Sequence, residues 1–234
     1  MSNTNSLKGA VYEQVARIGK AVCSPQRLEI LSILSQSPRS VESVAEETSL
    51  SVANASRHLQ ILKGARLVES ERRGPVAMYR LADESVEVFL RALVKMAEGR
   101  LAEIGQIVKE FLNGKESLEP VEREALLKAV RKGQVMVLDV RPREEFETAH
   151  LRGAMSMPLK ELEKRISELP KKQKIAAYCR GPYCMFAVKA TEILRKKGFD
   201  AFFLKESVQD WKAMGFPVTS GLETKNRGAL IALK

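Results

Sequence analysis

The chain has 234 residues, of which 44% are hydrophobic, and its net charge is +10; this composition is typical of a globular protein with one large or two small domains. Three cysteines are too few for a disulfide framework, the first six residues lack the apolar region of a signal peptide, and no apolar run is long enough to span a bilayer, so we expect a cytoplasmic protein with no membrane partner. Residues 1–112 contribute only +2 to the net charge, so overall charge does not by itself identify a nucleic-acid-binding segment.

Apolar residues recur at helical spacing through the first third of the chain. A first helix is predicted by Leu7, Val11, Val15 and Ile18. Ser24 and Pro25 then have the residue types of an N-cap and of a first helical position, and they predict a second helix. Ser40 and Ser51 are predicted to cap two further helices, the second of which reaches roughly Gly64.

The hydrophobic period changes after the fourth helix. Residues 67–70 and 77–81 predict two strands, and the sequence ERRGP between them predicts a β-hairpin with a basic tip. One long helix is predicted from about Asp83 to Leu112. Because such a helix is too long to be covered by a domain of this size, its apolar stripe and the first helix predict a homodimer interface.

Two helices followed by a basic hairpin predict a winged helix-turn-helix, in which the second helix enters the major groove of double-stranded DNA and the wing contacts its backbone. Asn and Gln side chains can pair with adenine and Arg with guanine, and arginines of the wing can hold phosphates. The predicted DNA-contacting residues are Ser51, Asn54, Ser56, Arg57, His58, Gln60 and Lys63 on the helix, and Arg72 and Arg73 on the wing.

This segment resembles the bacterial ArsR family of dimeric repressors over about residues 7–112. The resemblance depends on SPQRLEIL at residues 24–31, SRHLQIL at 56–62 and ARLV at 65–68. It implies DNA binding by a homodimer that is joined through the terminal helices. Metal-sensing members carry Cys pairs before the recognition helix, or Asp and His in the last helix. This chain has neither Cys nor His in those two helices, so we expect no metal.

Strands and helices alternate in the second half of the chain. Strands are predicted at 135–139, 174–178 and 201–204, and helices near 143–148, 159–168, 184–197 and 208–214. Such alternation predicts a parallel, buried sheet with helices on both faces. The predicted fold is therefore two domains. A mainly-α winged helix-turn-helix (α+β) domain at 1–112 precedes a linker at 113–120, an α/β domain at 121–219 that begins with a helix around 121–132, and a tail at 220–234.

Cys179 follows the second of these strands and stands just before a helix. The backbone N–H groups of such a loop, together with the positive end of the helix, can lower the pKa of a thiol. Arg180 would add positive charge. The sequence therefore predicts that Cys179 is a nucleophilic thiolate. The other members of the predicted loop are Gly181, Pro182, Tyr183, Cys184 and Met185.

The second half resembles a single rhodanese domain over about residues 119–218. The matching segments are LDVRPREEF at 138–146, HLRGA at 150–154, YCRG at 178–181 and WKAMGFP at 211–217. The resemblance implies sulfur transfer without a cofactor. Cys179 would take sulfane sulfur from a donor as a persulfide and pass it to a thiol acceptor. Asp139, Arg141 and Glu145 match the framework of the family, which implies that they support the loop.

Two positions of the loop depart from active rhodaneses, which often read CRxGxR. Pro182 stands at the second glycine and Cys184 at the last arginine, which puts thiosulfate binding in doubt. Cys184 either attacks a Cys179 persulfide, releasing sulfide and forming a disulfide, or is a small apolar filler at a helix start, and the sequence leaves both open. A C-x5-R phosphatase loop is excluded, because Met185 stands where the arginine would be.

The two halves together predict a transcriptional regulator whose DNA affinity responds to reactive sulfur. Two alternatives remain open from the sequence. One is a sulfurtransferase, an enzyme whose winged helix mainly dimerises the chain. The other is a DNA-binding protein whose rhodanese domain is catalytically idle.

Overall fold

The computed structural model describes residues 3–112, 134–215 and 217–221, together with residues 129 and 132. Two compact units meet in the sequence at Gly105 and Gln106. The predicted linker at 113–120, nearly all of the predicted helix around 121–132, and residues 222–234 of the predicted tail lie outside the described residues. Within the described ranges, no helix is both long enough and apolar enough to cross a membrane.

Helices dominate residues 3–112. Their bounds are α1 (Asn3–Val22), α2 (Pro25–Leu34), α3 (Val41–Glu47), α4 (Val52–Gly64), α5 (Glu84–Arg100) and α6 (Ala102–Leu112). Ser40 and Ser51 cap α3 and α4 as predicted: their hydroxyls accept hydrogen bonds from the backbone N–H groups of Ser43 and Asn54, at 3.2 and 3.3 Å. The core between the helices includes fully buried Ile30, Leu31, Leu59 and Leu62.

A three-stranded antiparallel sheet completes the first unit. Strands β1 (Arg39–Ser40), β2 (Val68–Arg73) and β3 (Val76–Leu81) are arranged in the order β1-β3-β2. The predicted hairpin is present, but its strands continue to the pair Arg73 and Val76 beside the turn. Gly74 adopts φ +61° at this turn, a backbone conformation that favours glycine. Strand β1 was not predicted, because two residues carry no periodic pattern and form a strand only by pairing with β3.

The prediction of one long helix from Asp83 to Leu112 is wrong. Helix α5 ends at Arg100, and the backbone of Leu101 is extended (φ −111°, ψ 97°) before α6 begins. Gly99 lies in the last turn of α5, where glycine weakens a helix by about 1 kcal/mol relative to alanine. The apolar pattern continues across the break, which is why hydrophobic periodicity did not reveal it.

The second unit is built on a parallel sheet, as predicted. Strands β4 (Val135–Asp139), β6 (Met155–Ser156), β7 (Lys174–Tyr178) and β8 (Ala201–Phe203) are all parallel and follow the order β6-β4-β7-β8. Its helices are α7 (Arg143–Thr148), α8 (Leu159–Arg165), α9 (Met185–Lys196) and α10 (Val208–Ala213), and two short strands, β5 (His150–Leu151) and β9 (Val218–Thr219), pair antiparallel beside them.

Side chains of β7 alternate between two buried clusters, as the pleat of a strand requires. Ile175 and Ala177 belong to one cluster, which also contains residues of α9, whereas Ala176 and Tyr178 belong to the other. Cys179 follows β7 in the same alternation and lies in the cluster that includes α9. The strand therefore directs the sulfur of Cys179 into the protein.

Candidate functional site

The loop that joins β7 to α9 consists of residues 179–184. The backbone N–H of Cys184 donates to the carbonyl of Gly181 at 3.1 Å, which closes the loop into a tight turn. Gly181 adopts φ +125°, and a Cβ atom at this position would lie 3.5 Å from Cβ of Ser207. The backbone angle, more than the available space, requires glycine here.

Cys179 is almost completely buried, with 1% of its surface exposed. Its thiol donates a hydrogen bond to the carbonyl of Cys184, with Sγ and O 3.1 Å apart. Burial raises the pKa of Cys179 well above that of an ordinary thiol, and the interaction with Cys184 raises it further; the backbone N–H groups of Ala187 and Gly181 oppose this rise. The predicted lowering of the Cys179 pKa is wrong, because desolvation outweighs the amides.

Cys184 is the sulfur with the lowered pKa. It is partly exposed and is the N-cap residue of α9. A hydrogen bond from the Cys179 thiol is the largest cause of a lowering of the Cys184 pKa to about 6, against the opposing effect of burial. The backbone N–H groups of Arg180 and Phe186 and the charge of Arg180 lower this pKa further. The pKa values of the two cysteines are thus shifted in opposite directions, upward for the buried Cys179 and downward for Cys184.

Arg180 forms an ion pair with Glu145, one of the three predicted framework residues. Its Nε lies 3.0 and 3.1 Å from the two carboxylate oxygens of Glu145, and its Nη2 also binds Oε1. The carboxylate of Glu145, on α7, is fully buried. This ion pair links the start of the loop to α7. It also neutralises the positive charge of Arg180, which the sequence had suggested would stabilise a thiolate at Cys179. Glu145 is thus in direct contact with the loop, and its role as a framework residue stays a prediction.

The other two predicted framework residues, Asp139 and Arg141, form a buried hydrogen-bond network with Tyr178. The guanidinium of Arg141 binds the carboxylate of Asp139, with Nη2 and Oδ2 2.6 Å apart and both side chains fully buried. The hydroxyl of Tyr178 donates to the same oxygen at 2.5 Å and accepts from the backbone N–H of Leu151 at 3.2 Å. Tyr178 was not predicted as part of this network, because from the sequence a tyrosine inside an apolar strand is indistinguishable from a core residue.

The outer side of the loop is exposed. Pro182 and Tyr183 lie on the surface, Tyr183 with 51% of its area exposed, and Met185 is partly buried. Cys184 is placed between these residues and the start of α9. Cys184 is therefore more accessible to solvent than Cys179.

Helix α4 presents most of the predicted DNA-contacting side chains to solvent. Asn54, Arg57 and Gln60 are exposed, whereas Ser56 and His58 are partly buried. Ser51 is exposed, but its hydroxyl is used as the cap of the helix. The side-chain amide of Gln60 donates to the hydroxyl of Tyr79 at 3.1 Å, which anchors it to β3.

The wing carries two exposed arginines at its end. Arg72 and Arg73 close β2 beside the turn and are exposed. Lys63, at the end of α4, donates to the hydroxyl of Ser70 on β2 at 2.7 Å, so it links the helix to the wing. The structure thus brings the predicted helix and wing residues onto one small unit, and their contact with DNA stays a prediction.

His58 lies at the inner edge of this surface. Burial lowers its pKa, and the charges of Arg27 and Arg57 lower it further. Its Nδ1 is buried and has no hydrogen-bond partner within the described residues. No group of three or more His, Cys, Asp or Glu side chains that could hold a metal ion occurs in the part of the chain that the structure describes.

Known proteins match both halves of the chain. The model of the bacterial regulatory protein, arsR family, matches residues 24–70, and that of the rhodanese-like domain matches residues 122–214. The HTH-type transcriptional regulator Rv0324 of Mycobacterium tuberculosis is 37% identical over 94% of this chain and 97% of its own length. The putative sulfur carrier protein YrkF of Bacillus subtilis is 27% identical over 65% of this chain and 89% of its own.

Among solved structures, a homodimeric winged helix-turn-helix DNA-binding domain from Mycobacterium bovis is 40% identical to this chain. The match covers 40% of this chain and 87% of that one, with a TM-score of 0.39.

Proposed function

We propose that this chain, which belongs to the ArsR family of DNA-binding transcriptional regulators and carries a C-terminal rhodanese-like domain, takes up sulfane sulfur in the loop between Cys179 and Cys184 and changes its DNA occupancy in response. The sulfur is held as a cysteine persulfide. The sulfur comes from a sulfane-sulfur donor. It is then either passed to a thiol acceptor or released as sulfide when the second cysteine of the loop forms a disulfide.

The observation that carries this proposal is the thiol pair. Cys184, whose pKa is lowered to about 6, offers a thiolate at neutral pH, and the thiol of Cys179 donates to its backbone carbonyl at 3.1 Å. A thiolate is the form of cysteine that attacks sulfur. The neighbouring thiol can then resolve the persulfide, which supports a sensing role, since a disulfide is a lasting covalent change.

The charges of the loop favour a sensor over an enzyme that turns over thiosulfate. Arg180 is the one cationic residue between positions 179 and 185, and its guanidinium is held by the buried carboxylate of Glu145. A dianion such as thiosulfate would meet no uncompensated positive side chain there. Neutral or singly charged persulfides and polysulfides need no such charge.

Assembly as a homodimer fits the exposed apolar side chains of α1. Leu7, Val11, Tyr12 and Val15 recur at helical spacing, and each is more than half exposed, at 53–66%. Helix α5 adds exposed Val88, Phe89 and Met96. A second copy of the chain that covers this face would place two α4 helices to read the two half-sites of a palindromic operator.

A mobility-shift titration on the DNA upstream of the gene tests the proposal. We expect inorganic polysulfide to change the affinity of the wild-type protein and to leave a Cys179→Ser, Cys184→Ser double variant unchanged. Cys23→Ser is the matched control, because Cys23 is the third cysteine and is exposed; this variant should respond like wild type. An equal response of wild type and double variant, or no response in either, would contradict the proposal.

A further inference from the structure

We infer that a basic edge of the second unit holds the phosphate backbone of DNA that flanks the operator. This basic edge consists of four exposed lysines, Lys171, Lys172, Lys196 and Lys197. The inference goes beyond the proposed function, because it gives the rhodanese-like domain a contact with DNA that does not involve the cysteines of the loop.

Two of these lysines lie where the parallel sheet begins. Ile175 of β7 pairs with Ala201 of β8, so the two strands start at the same edge of the sheet. Lys171 and Lys172 come shortly before the first residue of β7. Neighbouring strands are about 4.8 Å apart, so the segments that lead into β7 and β8 lie side by side.

The other two lysines lie at the end of α9, which returns to the same edge. The Nε atom of Arg195 donates to the carbonyl of Ala201, the first residue of β8, at 2.7 Å. Lys196 is the last residue of the helix and Lys197 is its C-cap. The four lysines therefore border one surface, although two segments of the chain supply them.

The positive charge of this surface is not neutralised by its acidic neighbours. Glu168 pairs with Arg165 at 2.9 Å, and Asp200 pairs with Lys174 at 3.3 Å. None of the four lysines forms an ion pair with another described residue. In the sequence, residues 113–234 carry +8 of the net charge of +10. A surface with this excess of ammonium groups attracts a polyanion.

The apolar residues of the edge argue against a lipid surface. Leu169 and Phe199, which precede β7 and β8, are 4% and 6% exposed. Stable attachment to a membrane usually combines basic residues with an apolar anchor, and a protein interface usually has an apolar centre. The basic edge offers only charge, which is what the backbone of DNA recognises.

The position of the edge argues against a protein that exchanges sulfur with the loop. Cys179 follows the last residue of β7, whereas the basic edge borders the first. A strand of five residues spans about 17 Å. A partner that is held by these lysines therefore lies at the opposite end of the strand from the cysteine. DNA needs no access to the loop.

DNA is also the polyanion that the chain already meets, since it belongs to a family of DNA-binding regulators. The two units are parts of one chain, so binding of the first unit to its operator raises the local concentration of phosphate around the second. Weak contacts then suffice, and they strengthen binding without adding to its sequence specificity.

Fluorescence anisotropy of the full chain on labelled upstream DNA, at several salt concentrations, tests the inference. The DNA extends beyond the footprint of the protein on both sides. The edge variant carries four substitutions: Lys171→Gln, Lys172→Gln, Lys196→Gln and Lys197→Gln. The control variant removes four exposed cations of the same unit away from this edge: Arg152→Gln, Lys160→Gln, Lys189→Gln and Lys205→Gln.

Each lost lysine–phosphate contact makes the slope of log K against log salt shallower by about 0.9, so we expect a change of about 2–4 for the edge variant. The control variant should keep the wild-type slope. Arginine at the same four positions retains the charge and should restore the slope. The unfolding midpoint, followed by the fluorescence of Trp211, should match that of wild type in every variant.

A wild-type slope in the edge variant would overturn the inference, and so would an equal loss in the control variant, because the effect would then follow total charge and not this surface. Sedimentation with phosphatidylglycerol vesicles tests the other polyanion. Vesicle binding that the edge variant loses, together with an unchanged slope on DNA, would assign the edge to a membrane surface and also overturn the inference.

Discussion

The two loop cysteines shift each other's pKa, so the chemistry of each depends on the other. Cys184 owes its lowered pKa first to the Cys179 thiol and only then to backbone amides. Cys179 owes its raised pKa first to burial. Cys179 carries the resemblance to the rhodanese family, whereas Cys184 has the lowered pKa.

The dependence of Cys184 on Cys179 gives a titration experiment. The rate of Cys184 alkylation in wild type should rise with pH through an inflection near 6, because the thiolate is lost as the pH falls through the lowered pKa. In Cys179→Ala the hydrogen-bond donor is removed, and the inflection should move up towards the ordinary thiol value of about 8.5. Cys179→Ser retains a hydroxyl donor and should move it less. An unchanged inflection in Cys179→Ala would refute this origin of the lowered pKa.

The buried pair of Asp139 and Arg141 gives a stability experiment. Both side chains have zero exposure, so Asp139→Asn leaves an uncompensated guanidinium and should lower the free energy of unfolding by about 3–5 kcal/mol. Glu147→Gln is the control, since its pair with Arg143 is exposed and should contribute less than about 1 kcal/mol. Denaturant unfolding followed by the fluorescence of Trp211, the one tryptophan, reports on this domain. Equal losses in the two variants would contradict the expectation.

At the residue scale, the sequence predicted features that depend on residue type and local position. It did not predict contacts with residues that are distant in the sequence. The strand-end position of Cys179 and the short loop were readable from the local sequence. The pairing of Arg180 with Glu145, which lies 35 positions earlier on helix α7, was not. Nor was the burial that raises the pKa of Cys179, because it depends on how α9 packs against β7.

At the scale of elements, we expect α4 to read the operator sequence and the wing to contact the DNA backbone. Arg57→Ala on the exposed face of α4 should cost about 1–3 kcal/mol of affinity for the operator and relax its specificity. Arg73→Ala at the wing should weaken binding to all sequences alike and reduce the slope of log K against log salt by about 1. Fluorescence anisotropy at several salt concentrations measures both effects. Lys189→Ala, on α9, removes an exposed charge elsewhere and should change neither. A sequence-selective effect of Arg73→Ala would contradict this division.

Elements with a strong local pattern were predicted with the correct type, and those that depend on a neighbour were not. The capped helices α3 and α4 and the alternating strands of the parallel sheet belong to the first kind. Strand β1 belongs to the second, since it exists by pairing with β3. The interruption at Leu101 was hidden because apolar residues continue at helical spacing on both sides of it.

For the whole molecule, we propose that the exposed apolar face of α1 forms the dimer interface on which operator binding depends. Val15 is 58% exposed, so Val15→Asp should leave the fold intact while it places a charge in the proposed dimer interface. We expect sedimentation velocity to show a monomer and operator affinity to fall, because a monomer contacts one half-site. An unshifted unfolding midpoint confirms that the fold is retained. A variant that remains dimeric would exclude this face as the interface.

The loop cysteines and helix α4 lie in different units of the chain, and we propose that sulfur uptake in one unit controls DNA binding by the other. The most direct measurement titrates inorganic polysulfide into the wild-type protein and follows, in the same samples, the sulfur content of the Cys179 and Cys184 peptides and the anisotropy of labelled operator DNA. We expect the change in DNA binding to rise in proportion to the fraction of loop cysteines that have reacted and to be complete when the Cys179–Cys184 disulfide is. Full reaction of both cysteines with no change in operator affinity would contradict the claim.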